Sequence, residues 1–289
     1  MADTSIEWTD LTPNPFRARN LETGNIGHYC QKISPGCLYC YAARWQHRLG
    51  TDLDFLPRNR EKVELFLDEK VLRQVLKRRK PSKCFWCDMT DMFYEGYPFE
   101  WIDKCFDVMA LTPQHVHQIL TKRPERMLEY LKSRCHGEMK NVWLGTSVED
   151  QKRADERIPI LRHRPALIRF LSVEPILEPV NLDLEGIDWV IFGGESGMHL
   201  FNQKTREQRG NVVTYSNGKW FATEHGLSIA RSVRNQCIQA GVKFFLKQFG
   251  GAYPKSAGRV LDLHTWDEMP GEREMEGKDT AVLRLPVLP

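Results

Sequence analysis

A predicted buried strand and a polar, glycine-rich turn follow one another in Asp188-Trp189-Val190-Ile191-Phe192-Gly193-Gly194-Glu195-Ser196-Gly197. A short apolar run bounded by turn signals is typical of a strand covered on both faces of a parallel sheet. The adjacent glycines allow a backbone to approach a ligand closely, because they carry no side chain. This segment therefore predicts a strand that ends at a ligand site.

Short apolar runs alternate with amphipathic helical stretches along most of the 289 residues. This alternation predicts repeated βα units and an α/β fold with about six or seven mainly parallel strands. We expect a single domain over residues 1–289, in which 202–223 form an insertion, either a lid or a hairpin, and 256–289 wrap the surface. The segments with a strand pattern are 5–9, 63–66, 83–87, 116–120, 141–144, 167–171, 188–192 and 242–246.

Polar residues follow six of these segments. In parallel α/β folds and barrels, the ligand site lies at the carboxyl ends of the strands, so we expect these residues to surround one polar pocket. Helix N-caps place Asp, Ser and Thr at the same turns whatever the function. Glu174 and Glu195 fit a cap least well, because they stand beside proline and glycine. The polar residues are found in 88–91, 121–124, 145–150, 172–175, 193–197 and 247–248.

Three cysteines lie within eleven residues in Cys30-Gln31-Lys32-Ile33-Ser34-Pro35-Gly36-Cys37-Leu38-Tyr39-Cys40. The Pro-Gly pair keeps this loop out of regular structure. Thiolates are soft ligands that favour iron–sulfur clusters, zinc or copper(I). A closed zinc site or a fully ligated cluster takes four protein ligands. Three cysteines leave one metal position open for a substrate or cofactor.

Three interpretations of this loop remain open. A [4Fe–4S] cluster could be held by Cys30, Cys37 and Cys40, with its fourth iron free. A zinc ion could take the same thiolates and either His28 or His47 as its fourth ligand. The thiols could also be reduced and unliganded. The spacing alone favours the cluster over zinc.

The composition points to the cytoplasm. No run of about 18 apolar residues is present, so we expect no membrane span. The start of the chain, Met1-Ala2-Asp3-Thr4, lacks a secretion signal. Eight cysteines in such a protein favour metal ligation or buried thiols over disulfides. The net charge of +3 is too small to indicate a polyanionic partner by itself.

The cysteine loop resembles that of the radical S-adenosylmethionine (SAM) superfamily, whose usual motif is CxxxCxxC. The second gap matches, including aromatic Tyr39 before the last cysteine, whereas the first gap holds six residues rather than three. The chain is more closely similar to a phage-associated family named for its three cysteines. The matching stretches are 5–10, 34–42, 120–127, 193–197 and 265–270.

The resemblance implies a partial (β/α) barrel with the cluster in the loop after the first strand. SAM would bind the free iron, and an external electron donor such as flavodoxin would reduce the cluster. Cleavage of SAM would give a 5′-deoxyadenosyl radical that abstracts hydrogen from the substrate. The resemblance thus implies two cofactors, a [4Fe–4S] cluster and SAM.

The resemblance also implies roles in SAM binding. Tyr39 would contact the adenine through its backbone. The turn at Thr90 and Asp91 takes the place where the superfamily usually has a Gly-Gly-Glu-like turn for the SAM amino group. Further candidates for the SAM site are Ser147, Glu174, Gly193, Gly194 and Glu195.

The family context, together with Lys122 and Arg123 at a strand end, suggests DNA carrying a modified base as the substrate. The expected reaction is the isomerisation of a hypermodified thymine in phage DNA, in the cytoplasm of the host. A base inside a duplex would have to be flipped out. Two alternatives remain, a radical SAM enzyme acting on a protein or small molecule and a non-catalytic, zinc-stabilised nucleic-acid-binding protein.

Overall fold

The computed structural model describes residues 4–134, 139–162 and 166–271. These residues fall into two compact units. The first contains 4–134, 139–144 and 166–167, and the second contains 145–162 and 168–271. Within the described part of the chain, no helix is both long and apolar enough to span a membrane.

The first unit combines a small antiparallel sheet with the start of a parallel one. Strand β1 lies between β2 and β3 in the small sheet, and β4 and β5 pair in parallel. Its elements, in chain order, are β1 (Phe16–Asn20), β2 (Ile26–Gly27), α1 (Tyr41–Leu49), β3 (Val63–Leu67), α2 (Glu69–Lys77), β4 (Lys83–Trp86), α3 (Phe99–Ala110), β5 (Val116–Thr121), α4 (Pro124–Ser133) and β6 (Val142–Ser147), whose last three residues belong to the second unit.

The second unit contains three parallel strands and two small hairpins. Strand β8 pairs in parallel with both β7 and β11. Its elements are α5 (Gln151–Arg162), β7 (Ile168–Val173), β8 (Trp189–Gly193), α6 (Gln203–Gln208), β9 (Val213–Ser216), β10 (Lys219–Ala222), α7 (Glu224–Ala240), β11 (Lys243–Gln248), β12 (Val260–Leu261) and β13 (His264–Thr265).

The parallel strands hydrogen-bond in the order β11-β8-β7-β6-β5-β4, which confirms the predicted α/β class. Every residue of β6 and β8 is buried, as expected for central strands covered on both faces. Helix α7 begins at a side-chain cap, because Thr223 Oγ1 accepts from the amide of Gly226. It ends at Gly241, whose φ of 68° lies in the left-handed region that glycine favours.

The prediction of a strand at residues 5–9 is wrong. This segment forms a turn, in which the amide of Thr9 donates to the carbonyl of Ile6. Its apolar Trp8 is buried because it packs against Phe85, with ring centroids 4.6 Å apart. The alternating residues of β1, which do form a strand, were missed because the run is only five residues long.

The two segments without a βα pattern contain short elements. Residues 202–223 form α6 and the β9–β10 hairpin, and their service as a lid stays a prediction. Residues 256–271 include the β12–β13 hairpin, whereas 272–289 of the predicted C-terminal wrap lie outside the described residues.

A neutral histidine is built into the core of the first unit. Trp86 Nε1 donates to His117 Nδ1 at 3.0 Å, so the ring proton is on Nε2, which lies 3.1 Å from Thr112 Oγ1. That hydroxyl donates in turn to the carbonyl of Val108. Burial lowers the pKa of His117 to about 3. His28 is also buried, and desolvation lowers its pKa to about 4.

We expect the free energy of unfolding to fall as the pH drops below about 6.5. The folded pKa of His117 lies below the unfolded value of 6.5, so the unfolded chain takes up the proton first between pH 6.5 and 3. Each such histidine contributes a slope of up to about 1.4 kcal/mol per pH unit in this window. The free energy of unfolding, measured by urea denaturation at pH 7 and at pH 5, should change less with pH in His117→Gln than in wild type. An equal slope in that variant would contradict the assignment, and exposed His225→Gln is the matched control.

Candidate functional site

The cysteine loop lies between β2 and α1 in the first unit. It contains a single 3₁₀ turn, Pro35–Cys37, and Cys40 is the residue that precedes the first turn of α1. The resemblance placed the cluster after the first strand of the barrel. In the structure the loop instead follows the antiparallel strands β1 and β2 and precedes all six parallel strands, because the β1–β2 hairpin occupies the start of the fold.

The three thiols of this loop are free and partly exposed. Burial raises the pKa of Cys30 to about 12, and the negative charges that Cys37 and Cys40 would carry raise it further. Burial also raises the pKa of Cys40, while hydrogen bonds from the backbone of Ala43 and Ala42 oppose the shift. A neighbouring positive charge favours the thiolate form, as Arg123 does for Cys30.

The described donor side chains do not form a ready site for one metal ion. Among residues 4–134, 139–162 and 166–271, no three His, Cys, Asp or Glu side chains converge as one metal ion requires. In a [4Fe–4S] cluster each thiolate binds a different iron, so the sulfurs need not converge on one point. His28 Nδ1 lies 3.0 Å from the carbonyl of Phe16 and His47 Nδ1 lies 3.1 Å from Asp52, contacts that leave Nε2 of each ring available, so the zinc interpretation stays open.

Arg123 ties the cysteine loop to the β4–α3 segment. Its guanidinium donates to the carbonyl of Gln31 at 2.8 Å and lies 3.8 Å from Cys30 Sγ. It also donates to both carboxylate oxygens of Glu95, at 2.9 and 3.0 Å, and stands over the ring of Tyr94. Burial acts to lower its pKa, but Asp91, Cys30 and Glu95 outweigh burial and raise it.

Asp91 organises the turn that follows β5. Its carboxylate accepts from Thr121 Oγ1 at 2.7 Å, from the amide of Lys122 at 2.9 Å and from Arg123 at 3.3 Å. It also accepts from the amide of Phe93. With four donors in place, the carboxylate is already satisfied, so the geometry favours a positioning role for it.

The other predicted residues of the first unit have different exposures. Arg123 is 4% exposed, so in this arrangement it does not reach a phosphate. Lys122 is partly exposed at the start of the same turn. Tyr39 and Thr90 are partly exposed as well, the former between Cys37 and Cys40 and the latter after β4. Of the predicted residues, the structure thus places Cys30 and Asp91 against Arg123 and leaves Lys122 partly exposed.

In the second unit, Glu174 and Lys247 form an ion pair at the ends of β7 and β11. Lys247 Nζ lies 2.9 Å from each carboxylate oxygen of Glu174, and both side chains are 19% exposed. Gln248 Nε2 donates to Glu174 and to the carbonyl of Gly194, both at 3.2 Å. A Cβ at Gly193 would lie 2.8 Å from Cδ of Glu174, so the glycine makes room for this carboxylate.

Gly194 and Glu195 serve packing and anchoring in this arrangement. A Cβ at Gly194 would collide with the carbonyl oxygen of Phe249. Glu195 makes a bidentate ion pair with Arg209, with N···O distances of 2.9 and 2.6 Å, and both side chains are buried. This pair fastens the chain after α6 to the turn after β8, and it uses both carboxylate oxygens that a SAM amino group would need.

Ser147 lies at the end of β6 and is buried. Its carbonyl accepts from Arg157 at 2.9 Å, and the same guanidinium donates to buried Glu149 at 2.9 Å. Thus buried arginines at positions 123 and 209 each pair with a predicted site residue, Asp91 and Glu195, and buried Arg157 pairs with Glu149, two residues after predicted Ser147. The sequence offered no signal for Arg157 and Arg209, because their partners are 8 and 14 residues away without a shared motif.

The model of a family described as "Protein of unknown function (DUF5131)" matches residues 3–209. Among solved structures, the chain is similar to a spore photoproduct lyase mutant with bound AdoMet and dinucleoside spore photoproduct, with a TM-score of 0.50 and 11% identity over 88% of this chain and 79% of that chain. A second spore photoproduct lyase mutant gives a TM-score of 0.47 and 13% identity over the same shares. No curated protein matches the chain.

The first of these structural likenesses concerns the fold. It confirms the predicted α/β partial barrel with parallel strands and surrounding helices. At 11% identity it assigns no residue a role, so the roles of the side chains rest on the geometry described above.

Proposed function

The chain belongs to the family described as "Protein of unknown function (DUF5131)", and we propose that it acts as a radical SAM enzyme. The observation that carries this proposal is the loop of three free, partly exposed cysteines at positions 30, 37 and 40, with the guanidinium of Arg123 3.8 Å from Cys30 Sγ. It occurs in a chain whose fold is that of a radical SAM partial barrel. When bound, a [4Fe–4S] cluster with SAM at its open iron supplies a radical that abstracts hydrogen from a substrate.

The residues of the first unit have different proposed roles in holding the cluster and binding SAM. Cys30, Cys37 and Cys40 hold the cluster. Arg123 fixes the loop that carries them and places a permanent positive charge beside Cys30, which offsets part of the negative charge of thiolates and sulfides. Tyr39 offers its backbone to the adenine of SAM.

The turn after β4 supports this arrangement. Thr90 is partly exposed as a residue, but its hydroxyl oxygen is buried and accepts or donates no hydrogen bond to the described residues, and we keep it as a candidate SAM contact. Asp91 acts by fixing Thr121 and Arg123, because its own carboxylate oxygens already accept four hydrogen bonds.

The candidate SAM contacts of the second unit are not equivalent. Glu174 is partly exposed and keeps access to a ligand hydroxyl or amino group, although it would share its charge with Lys247. Gly193 makes room for Glu174, the amide and carbonyl of Gly194 are already hydrogen-bonded to Gln248, and Ser147 is buried. Glu195 would have to leave Arg209 before it could bind SAM, so we assign it an anchoring role.

We propose a hypermodified thymine in phage DNA as the substrate and its isomerisation as the reaction. Support comes from the spore photoproduct lyase structure, which binds AdoMet and a dinucleoside photoproduct. Lys122 is partly exposed and precedes Arg123, the arginine that contacts the cysteine loop, so its side chain is available to a phosphate. An external donor such as flavodoxin would supply electrons, and the enzyme would work in the host cytoplasm.

The proposal is tested with anaerobic protein, dithionite and SAM, by measuring 5′-deoxyadenosine with and without thymine-modified oligonucleotides. We expect SAM cleavage in the loaded protein and a rise in 5′-deoxyadenosine when the modified DNA is present. SAM cleavage that responds only to a protein or small molecule would overturn the DNA substrate. Failure to cleave SAM, with zinc in place of iron, would favour a zinc-stabilised nucleic-acid-binding protein.

Replacing Lys122 with alanine is expected to weaken DNA binding several-fold, with a shallower salt dependence by about one charge, because one phosphate contact is lost. Titration of labelled duplex at several salt concentrations measures both effects. Lys77→Ala is the matched control, since Lys77 is an exposed lysine at the end of α2. Equal effects of the two variants would remove Lys122 from the DNA contact.

A further inference from the structure

The β9–β10 hairpin of the second unit carries aromatic side chains that it does not bury. Its two-residue loop, Asn217-Gly218, has positive φ angles of 48° and 76°, as in the tight type I′ turns of hairpins. Of the eight strand residues only Val213 is buried, whereas Tyr215 and Phe221 are 54% and 47% exposed. The hairpin therefore presents these two rings to solvent instead of adding them to the core.

The exposed rings lie on both faces of the hairpin. Tyr215 and Trp220 stand directly opposite each other on one face, with ring centroids 5.3 Å apart, and the guanidinium of Arg206 lies 5.7 Å from the centre of the Trp220 ring. A cross-strand pair of this kind stabilises a hairpin, so it needs no ligand to explain it. Phe221 is on the other face, where its partner Thr214 offers no ring to pack against. The exposure of Phe221 therefore indicates an interaction surface.

The base of the hairpin lies against the turns that follow β8 and β11. A Cβ at Gly251, three residues after β11, would lie 3.1 Å from Cγ of Trp220, so the glycine makes room for this side chain. The amide of Gly251 donates to the carbonyl of Glu195, in the turn after β8. Ligand sites of parallel sheets lie at the carboxyl ends of the strands. The hairpin therefore stands beside the strand ends at which a substrate is expected to bind.

The charged side chains of this part of the chain are mostly cations. Residues 202–222 contain four basic residues and one acidic residue, Lys204, Arg206, Arg209, Lys219 and Glu207. Arg209 is paired with Glu195, and Lys219 is exposed. Arg206 Nε has no hydrogen-bond partner among the described residues. A partner that carries negative charge would therefore be attracted to the hairpin.

We propose that the hairpin surface, formed by Arg206, Tyr215, Lys219, Trp220 and Phe221, binds unpaired nucleotides of a DNA strand. Bases of any sequence stack on flat rings, and neighbouring cations meet the phosphates. Phe221 has Lys219 two residues away on the same face, and the Tyr215–Trp220 pair has Arg206. The inference rests on the proposed function and specifies its DNA substrate as a strand that is locally unpaired, from which a base reaches an active site at the lowest cost.

The hairpin surface fits a nucleic acid better than a lipid or a protein. Polar Thr214, Ser216 and Asn217 lie among the rings, so the hairpin has no continuous apolar face to insert into a membrane. Lysine is depleted at the cores of protein interfaces, whereas Lys219 stands beside Phe221 on one face of the hairpin. Aromatic rings alternating with cations are the arrangement that single-stranded nucleic acids require.

The test uses the full chain with a labelled thymidine oligonucleotide and with the duplex that it forms with its complement. The single strand should bind more tightly. Phe221→Leu keeps an apolar side chain but removes the flat ring, so it should weaken single-strand binding at least about fivefold, the lower end of the loss when a base–aromatic stack is removed. Phe221→Trp should retain the affinity. Leu263→Ala, at a residue with 96% exposure in the β12–β13 turn, is the matched control.

A second variant tests the charge. Lys219→Gln should make the dependence of log Kd on log salt concentration shallower by about 0.7, the value for one phosphate contact with a single strand. Lys77→Gln, at the exposed lysine that ends α2, should leave this dependence unchanged.

Equal single-strand affinity in wild type and Phe221→Leu, or tighter binding of the duplex, would overturn the inference. Binding of anionic phospholipid vesicles that persists in Phe221→Leu, without DNA binding, would overturn it in favour of a membrane surface. Single-strand binding that depends on Phe221 in a protein that does not cleave SAM would support it and overturn the proposed radical function. SAM cleavage that modified DNA stimulates equally in wild type and Phe221→Leu would overturn this inference alone.

Discussion

Replacing Cys37 with alanine is expected to remove most of the iron from the protein and to abolish reductive cleavage of SAM. Each thiolate holds a separate iron in the proposed cluster, so the loss of one leaves two ligands. Loss of a residue that merely supports a ligand already costs 10- to 100-fold in metal affinity, and we expect a ligand to cost at least about a hundredfold. The fold should persist, because Cys37 is partly exposed in a loop and its thiol lies 3.5 Å from Ser34 Oγ, while its backbone bonds to Ser34 and Cys40 do not depend on the side chain.

Iron and sulfide analysis, an absorption spectrum and a 5′-deoxyadenosine assay measure these effects. Cys237→Ala is the control, since Cys237 is fully buried in α7 and lies outside the cysteine loop. It should lose some stability and keep the wild-type iron content. Wild-type iron in Cys37→Ala would show that the loop does not hold a cluster through this residue.

Replacing Arg123 with methionine is expected to lower the free energy of unfolding by about 3–5 kcal/mol, the usual cost of breaking a buried ion pair from one side. Asp91 would keep a buried charge without its cation, and the carbonyl of Gln31 would lose its donor. The partner Glu95 is exposed and would return to water at little cost. The cysteine loop would then lose its main tie to the β4–α3 segment.

Urea denaturation of Arg123→Met, together with its iron content after reconstitution, separates the two consequences. Arg123→Lys keeps the positive charge but loses the planar guanidinium. Its free energy of unfolding should therefore lie between those of wild type and Arg123→Met. The double variant Arg123→Met/Asp91→Asn should lose less free energy of unfolding than the two single variants lose together, because the two side chains interact directly. Arg79→Met, at an exposed arginine, should stay within about 0.5 kcal/mol of wild type. A loss below about 1 kcal/mol in Arg123→Met would contradict the role described for it.

The parallel sheet could be predicted from the sequence because its strands are short apolar runs buried on both faces. Strand β8 (Trp189–Gly193) shows this most clearly. All of its residues are buried, as expected for a strand in the centre of a parallel sheet. Strand β1 (Phe16–Asn20) is different, because it alternates buried and exposed residues over only five positions. A pattern of that length does not stand out from a loop.

The sequence suggests candidate site residues but does not reveal the side chains they pair with. Glu195 was predicted from its place after a strand, and the structure pairs it with Arg209. That arginine lies in a polar segment without periodicity, so only the folded chain reveals the contact. Arg123 was predicted to face a substrate phosphate, but its side chain turns inward to Asp91 and Gln31. Which way a long side chain turns depends on distant groups that a local pattern does not contain.

The most direct test of the account is iron, sulfide and zinc analysis of the anaerobically purified protein, with absorption spectra before and after addition of SAM. We predict about four irons and four sulfides per chain, a brown cluster band and a spectral change on SAM addition. One zinc ion per chain in a colourless protein that does not bind SAM would contradict the central claim, since the three cysteines would then serve structure rather than radical chemistry.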